Sequence, residues 1–190
     1  MIKAVIFDCF GVLYRDNLSL LYDAVPENQH QALRDIIHAT DLGMLTRDEY
    51  YNRIAELAGG DVPLDVRAIE LRQHVRDDVM VAYSQTFRSN YKVGLLSNID
   101  SGTIRQLFPN HEELFDVFVA SGDLGTAKPD ERIFTYAAEQ LGLPPDQCVM
   151  IDDIARNVDG ARFAGMHGIL FTNRQNLDQE LKRLGVLPGA

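Results

Sequence analysis

Four places in this sequence carry residues able to do chemistry: Asp8 after Ala4-Val5-Ile6-Phe7, Ser97-Asn98 after Leu95-Leu96, Lys128 before Pro129, and Asp152-Asp153 after Val149-Met150-Ile151. A carboxylate needs no deprotonation at neutral pH. Asp8 is therefore a candidate nucleophile that could attack phosphorus and form an energy-rich acyl phosphate for water to open. Ser97 and Asn98 would offer a hydroxyl and amides to phosphate oxygens, with the positive pole of a helix starting near Ser101 behind them. Lys128, held extended by Pro129 at the opening of a helix, would neutralise both Asp8 and the incoming phosphate so that two anions can meet. Asp152 and Asp153 repel each other unless a cation or donor offsets the charge, and hard, oxygen-liganded Mg²⁺ would do so. Alone, each has a plainer reading as a turn, a solvated lysine or a helix cap; their order along the chain is what distinguishes them.

These residues need a scaffold that brings distant segments together. From Tyr91 onward, strand-like and helix-like stretches alternate, which implies parallel strands joined by crossovers. Strands are predicted at Lys92-Val93-Gly94-Leu95-Leu96, Val117 to Ala120, Cys148 to Ile151 and Gly168 to Phe171, with helices over 101–107, 130–141, 154–164 and 175–184. In such an open α/β sheet the carboxyl ends of all strands lie along one edge, where ligands bind. Residues 16–88 break the alternation with apolar positions at helical spacing, including Ala32, Leu33, Ile36 and Ile37 on one face and Tyr50, Ile54 and Leu57 on another. Thr46 and Glu49 form a capping box, and Gly59-Gly60 ends that helix. The expected division is an α/β core over 1–15 and 89–190 with a helical cap over 16–88, inserted above Asp8 and suited to excluding water.

Composition bounds the partners. The chain has 190 residues, 46% hydrophobic and 24% charged, enough for one full domain with an insertion. A net charge of -10 works against nucleic acid and anionic membrane as partners. No basic leader followed by an apolar stretch opens the sequence, and no run approaches the ~20 apolar residues of a membrane span. Cys9 and Cys148 form no CxxC pair, and the five histidines show no zinc spacing. The expectation is a cytoplasmic protein, a monomer or homodimer, whose partner is a small phosphorylated metabolite.

Taken together, Phe-Asp-Cys-Phe-Gly-Val-Leu at 7–13, Leu-Leu-Ser-Asn at 95–98, Ala-Lys-Pro-Asp at 127–130 and Ile-Asp-Asp-Ile-Ala-Arg-Asn-Val at 151–158 resemble the haloacid dehalogenase-like superfamily of hydrolases. The inserted helices resemble the small cap of the subgroup containing sugar-phosphate phosphatases and the phosphatase domain of epoxide hydrolases. The resemblance implies a Rossmann-like parallel sheet with helices on both faces. It makes Asp8 the nucleophile, Ser97 and Lys128 phosphate binders, and Asp8, Asp152 and the backbone carbonyl of residue 10 the Mg²⁺ ligands. Asp153 and Asn157 would support the metal from behind or through water.

The departure is Phe10, where the family has an acid that protonates the leaving group and then activates water. Loss of a positioned acid/base removes about 10² to 10⁴ in rate, so a burst and slow turnover are expected. Asp16, Asp153 or a cap residue are the candidate replacements. Three readings follow: a phosphatase, a degenerate module that binds a phosphorylated ligand or partner, and a 2-haloacid dehalogenase. The dehalogenases also carry an aromatic at this position, but they have Ser and Asn where this chain has Asp152 and Asp153.

Overall fold

The structure, a computed structural model, describes residues 1–15, 19–59, 64–73 and 75–189. In chain order its elements are β1 (Ala4–Phe7), β2 (Tyr14–Arg15), α1 (Ser19–Ala24), α2 (His30–Asp41), α3 (Arg47–Ala58), α4 (Val66–Gln73), β3 (Val75–Arg76), α5 (Asp78–Gln85), β4 (Lys92–Ser97), α6 (Ser101–Leu107), α7 (His111–Leu114), β5 (Val117–Ala120), α8 (Glu131–Gln140), β6 (Cys148–Asp152), α9 (Ala155–Phe163), β7 (His167–Leu170) and α10 (Arg174–Arg183). Asp16, weighed above as a replacement base, and Gly60 lie outside the described residues.

Five strands form a parallel sheet in the order β5-β4-β1-β6-β7. The near-continuous apolar runs of the central strands β1, β4 and β6 reflect burial on both faces. Val5 and Phe7 of β1 join Leu95 and Ile151 in one layer, covered by Met80 and Val81 of α5, Ile104 of α6 and Leu177 of α10. Ala4 and Ile6 join Leu96 and Met150 in the other, covered by Phe134 of α8 and Ala161 of α9. Phe7 is fully buried with its ring centroid 6.1 Å from that of Phe87. Truncating such a side chain to Ala costs about 3–5 kcal/mol.

Register decides which strand ends meet. Phe7 stands opposite Leu95 on one side and Ile151 on the other, so Asp8, Ser97 and Asp152 leave the sheet together at its carboxyl edge. The next helix differs slightly from its sequence expectation: α8 begins at Glu131 and not at Pro129, and Asp130 caps it, its carboxylate accepting the Arg132 N–H. The Lys128–Pro129 peptide is cis. No helix among the described residues is long and apolar enough to cross a membrane.

Helices α1 to α4 have a core of their own, in which Leu21, Val25, Leu33, Tyr50, Ile54 and Val66 pack separately from both sheet layers. The capping box of α3 forms as its sequence requires, with the Thr46 side chain and Glu49 each accepting the other's backbone N–H. Helix α5 behaves differently. Its spacing places it in the insertion, yet Met80, Val81 and Tyr83 pack into the sheet-side core, because periodicity reports an apolar face and not its partner. Between α4 and α5, β3 pairs antiparallel with β2, Tyr14 opposite Arg76 and Arg15 opposite Val75. This ribbon is too short to leave a periodic signal.

Candidate active site

Asp8 is the first residue beyond β1; its N–H is held by the Ile151 carbonyl at 2.9 Å, and its Oδ1 accepts the Cys9 N–H at 2.7 Å. Lys128 Nζ donates to Asp8 Oδ1 at 2.6 Å, to Asp152 Oδ2 at 2.7 Å and to the Leu96 carbonyl at 3.2 Å. All three ammonium hydrogens are thereby used inside the protein. Asp152 also accepts Asn157 Nδ2 at 3.1 and 3.2 Å and the Ile154 N–H at 2.9 Å. One oxygen each from Asp8, Asp152 and Asp153 lie within 4.8 Å of one another.

One ammonium thus faces three carboxylates. Burial, opposed by Lys128 and reinforced by Asp152, pushes the Asp8 carboxyl up to about 7. Burial works against the charge of Lys128, but Asp8 and Asp152 outweigh it and hold the ammonium above the ordinary lysine range. Burial and Asp152 raise Asp153 as well. The cluster is short of positive charge and offers only oxygen donors on its acidic side, the donor set of a hard divalent cation.

Two orphaned atoms complete this picture. Ser97 Oγ and Asn157 Oδ1 are buried without a hydrogen-bond partner, although both residues line the cavity over Asp8. Buried polar atoms are rarely left so. A hydroxyl here can donate to a phosphate oxygen, and an amide oxygen can accept from a water on a cation. Gly11 lies against the acidic cluster: its φ is +85°, and a Cβ there would stand 2.2 Å from the Asp153 carboxylate. Only glycine meets both conditions.

The structure gathers Asp8, Phe10, Ser97, Asn98, Lys128, Asp152, Asp153 and Asn157 at one edge, and it corrects two expectations. Asn98 does not present its side chain to a phosphate: Nδ2 donates to the Lys128 carbonyl at 3.0 Å and Oδ1 accepts the Lys128 N–H at 2.9 Å. Nor is the start of α6 an open anion site, because Asp100 caps it with a carboxylate and Asp123 accepts the Ser101 N–H. Phe10 is half-buried, packs against the sheet core with its ring 6.3 Å from Tyr14, and forms part of the cavity wall. Arg15 and Tyr14 serve the ribbon. Arg15 is solvent-exposed, and the Tyr14 hydroxyl donates to the Leu107 carbonyl at 2.7 Å.

The opposite wall comes from the inserted helices. Asp41 of α2, Arg47 and Tyr50 of α3 and Glu70 of α4 close a cavity of about 180 Å³ above Asp8. Arg47 is ion-paired with Glu70 and lies 4.8 Å and 5.0 Å from the ring centroids of Tyr50 and Tyr51. Burial pushes Asp41 up to about 7 against the pull of Lys128 and Arg156. From sequence Tyr50 reads only as part of an apolar helix face, and Asp41, Arg47 and Glu70 carry no site reading. Asp41 did carry a signal: it is the last residue of its helix, where a carboxylate opposes the macrodipole.

Residues 2–165 match the family model of the haloacid dehalogenase-like hydrolases. The chain belongs to that family. It is 27% identical over 199 residues to the drimenol cyclase of Aspergillus calidoustus, an alignment covering 97% of this chain and 37% of that protein. It thus spans little more than a third of that relative. A phosphatase of Mycobacterium tuberculosis is 33% identical over 148 residues, covering 65% of this chain and 68% of the phosphatase. Among solved structures, a haloacid dehalogenase-like enzyme of Bacteroides thetaiotaomicron superposes with a TM-score of 0.80 at 22% identity, over 95% of this chain and 98% of that one. The same enzyme, in complex with magnesium and inorganic phosphate, gives a TM-score of 0.73 at 23% identity, over 90% and 95% of the two chains. These likenesses establish the fold of a haloacid dehalogenase-like hydrolase.

Proposed function

We propose that this hydrolase is a Mg²⁺-dependent phosphatase that works through an aspartyl phosphate on Asp8. The observation that carries the reading is the unpartnered Ser97 hydroxyl, buried in the cavity above an Asp8–Lys128 pair. A phosphate would give that hydroxyl its acceptor. It would also place phosphorus next to a carboxylate whose approach the Lys128 ammonium offsets.

The residues fit a hard cation. Asp8, Asp152 and the carbonyl of residue 10 would hold it, with Asp153 and Asn157 oriented by their own contacts to support them. When bound, Mg²⁺ supplies the positive charge that lets a phosphate dianion enter a cluster of three carboxylates. The same three carboxylates disfavour the dehalogenase reading, which needs no cation. The cavity of about 180 Å³ is smaller than the ~300–1,000 Å³ of drug-sized sites, so the substrate is a small phosphorylated metabolite. Its non-phosphate end would meet the polar wall of Asp41, Arg47, Tyr50 and Glu70. Helices α1 to α4 then act as the cap, and we place its junction with the core at the β2–β3 ribbon. Both cysteines, as buried thiols, fit a reducing cytoplasm.

The test is phosphate release from p-nitrophenyl phosphate with and without Mg²⁺, by wild type and Asp8→Asn. Release that needs both Mg²⁺ and Asp8 supports the reading. Equal rates in the two proteins would remove it and turn attention to 2-haloacids and to binding partners.

A further inference from the structure

Attack by Asp8 on a phosphate ester leaves two proton tasks, since the departing oxygen must gain a proton and the water that opens the acyl phosphate must lose one. Phe10 can do neither. Four carboxylates line the cavity: Asp8, Asp41, Glu70 and Asp153. Asp8 is the nucleophile in the reading above. Glu70 is held by Arg47 and by the Tyr51 hydroxyl at 3.1 Å. Asp153 lies against the Gly11 backbone within the acidic cluster. Asp41, the last residue of α2, lines the cavity from the inserted helices.

We propose that Asp41, carried into the site by the cap, is the general acid and general base of this enzyme. The proposal rests on the phosphatase reading. In the first step Asp8 forms a bond to phosphorus, the bond from phosphorus to the ester oxygen breaks, and that oxygen takes the Asp41 proton as it leaves. In the second, water attacks the acyl phosphate and gives a proton to the Asp41 carboxylate. The bond between phosphorus and Asp8 breaks with its electron pair returning to the Asp8 carboxylate. Ester and water become alcohol and phosphate, and Asp41 regains its proton.

The packing supports this assignment at three points. The Asp41 carbonyl accepts the Ser121 hydroxyl of the core, which fixes the end of α2 over the sheet edge. Two residues on, Gly43 has a φ of +70°, and a Cβ there would stand 1.9 Å from the Gly122 carbonyl oxygen, so the cap seats backbone to backbone. Asn98, the residue that holds Lys128, lines the same cavity as Asp41. Lys128, Arg156 and Arg47 are the cations around it, while burial raises its affinity for a proton above that of an ordinary carboxyl. A carboxyl so placed removes the reason to expect a slow second step.

The experiment compares wild type and Asp41→Asn on p-nitrophenyl phosphate, whose leaving group needs little protonation, and on phenyl phosphate, whose leaving group needs more. Asp41→Asn is expected to lose about 10² or more in kcat on phenyl phosphate and under about tenfold on p-nitrophenyl phosphate. It should still bind inorganic phosphate as wild type does. Phe10→Asp in the Asp41→Asn background should restore phenyl phosphate turnover, as should Asp41→Glu in part. Equal losses on the two esters, or none, would overturn the role of Asp41 and leave the phosphatase reading standing. A wild type that releases no Asp8-dependent phosphate from either ester would overturn both.

Discussion

Asn98 and Lys128 grip each other in both directions: the Asn98 amide donates to the Lys128 carbonyl at 3.0 Å and accepts the Lys128 N–H at 2.9 Å. A side chain at the end of one strand thereby sets the backbone of the loop that carries the ammonium. Asn98 also lines the cavity that Asp41 of α2 closes. Its paired bonds tie the Lys128 loop to the end of β4.

Lys128→Met should destabilise the protein strongly. It leaves Asp8 and Asp152 buried beside each other without their counter-charge, a change that costs about 3–5 kcal/mol when one partner of a buried pair is removed. Adding Asp8→Asn should recover part of the loss. Urea unfolding of the single and double variants checks this, and a single variant as stable as wild type would contradict it.

Ser97→Ala should separate binding from stability. Its hydroxyl has no partner in the fold, so melting should stay level or rise slightly. Phosphate affinity should fall by about tenfold or more, the value of a hydrogen bond to a charged oxygen. Calorimetric titration with inorganic phosphate and a thermal melt read the two effects. A melt that drops while affinity holds would show that the hydroxyl serves the fold.

Asp41 should make stability depend on pH. Its carboxyl stands at about 7 in the folded chain against an ordinary 3.8, so the folded state binds the proton more tightly. Its stabilising contribution is complete below about pH 4 and is lost as pH rises through about 7. Denaturant midpoints of wild type should therefore fall across this range more steeply than those of Asp41→Asn. Parallel curves would show that Asp41 titrates normally.

Gly43→Ala should unseat the cap without touching the acidic cluster. A side chain at φ +70° costs about 1–2 kcal/mol, and this one would also drive into the Gly122 carbonyl. Turnover of phenyl phosphate should drop several-fold, with faster hydrogen exchange near Ser121 and Gly122. Unchanged exchange there would contradict the docking.

The core-side residues were legible because two signals coincide at each: an apolar strand that must be buried, and a polar residue where it ends. Asp8, Ser97 and Asp152 obey both, and parallel topology then brings them together. Asp41, Arg47 and Glu70 sit on amphipathic helices, where a charged residue facing a cavity reads like one facing water. Only the packing of α2 to α4 over the sheet tells them apart. Asn98 was legible in place but not in purpose, since an amide that clamps a loop and one that meets a ligand have the same sequence. Helix α5 shows the matching limit for apolar residues, whose spacing names a buried face without saying in which core.

The β2–β3 ribbon bears on how the chain finds its fold. Strand β1 pairs with β4 and β6, both far along the sequence, and closing so long a loop delays pairing. Once Tyr14–Arg15 meets Val75–Arg76, the intervening helices become a side excursion and the effective separation of β1 from β4 shrinks to α5 and its turns. A weakened ribbon would then slow the search for the central sheet more than it hastens escape from the finished one. Two residue pairs, too short to register as a strand in the sequence, would set the pace at which the carboxyl edge of the sheet comes into being.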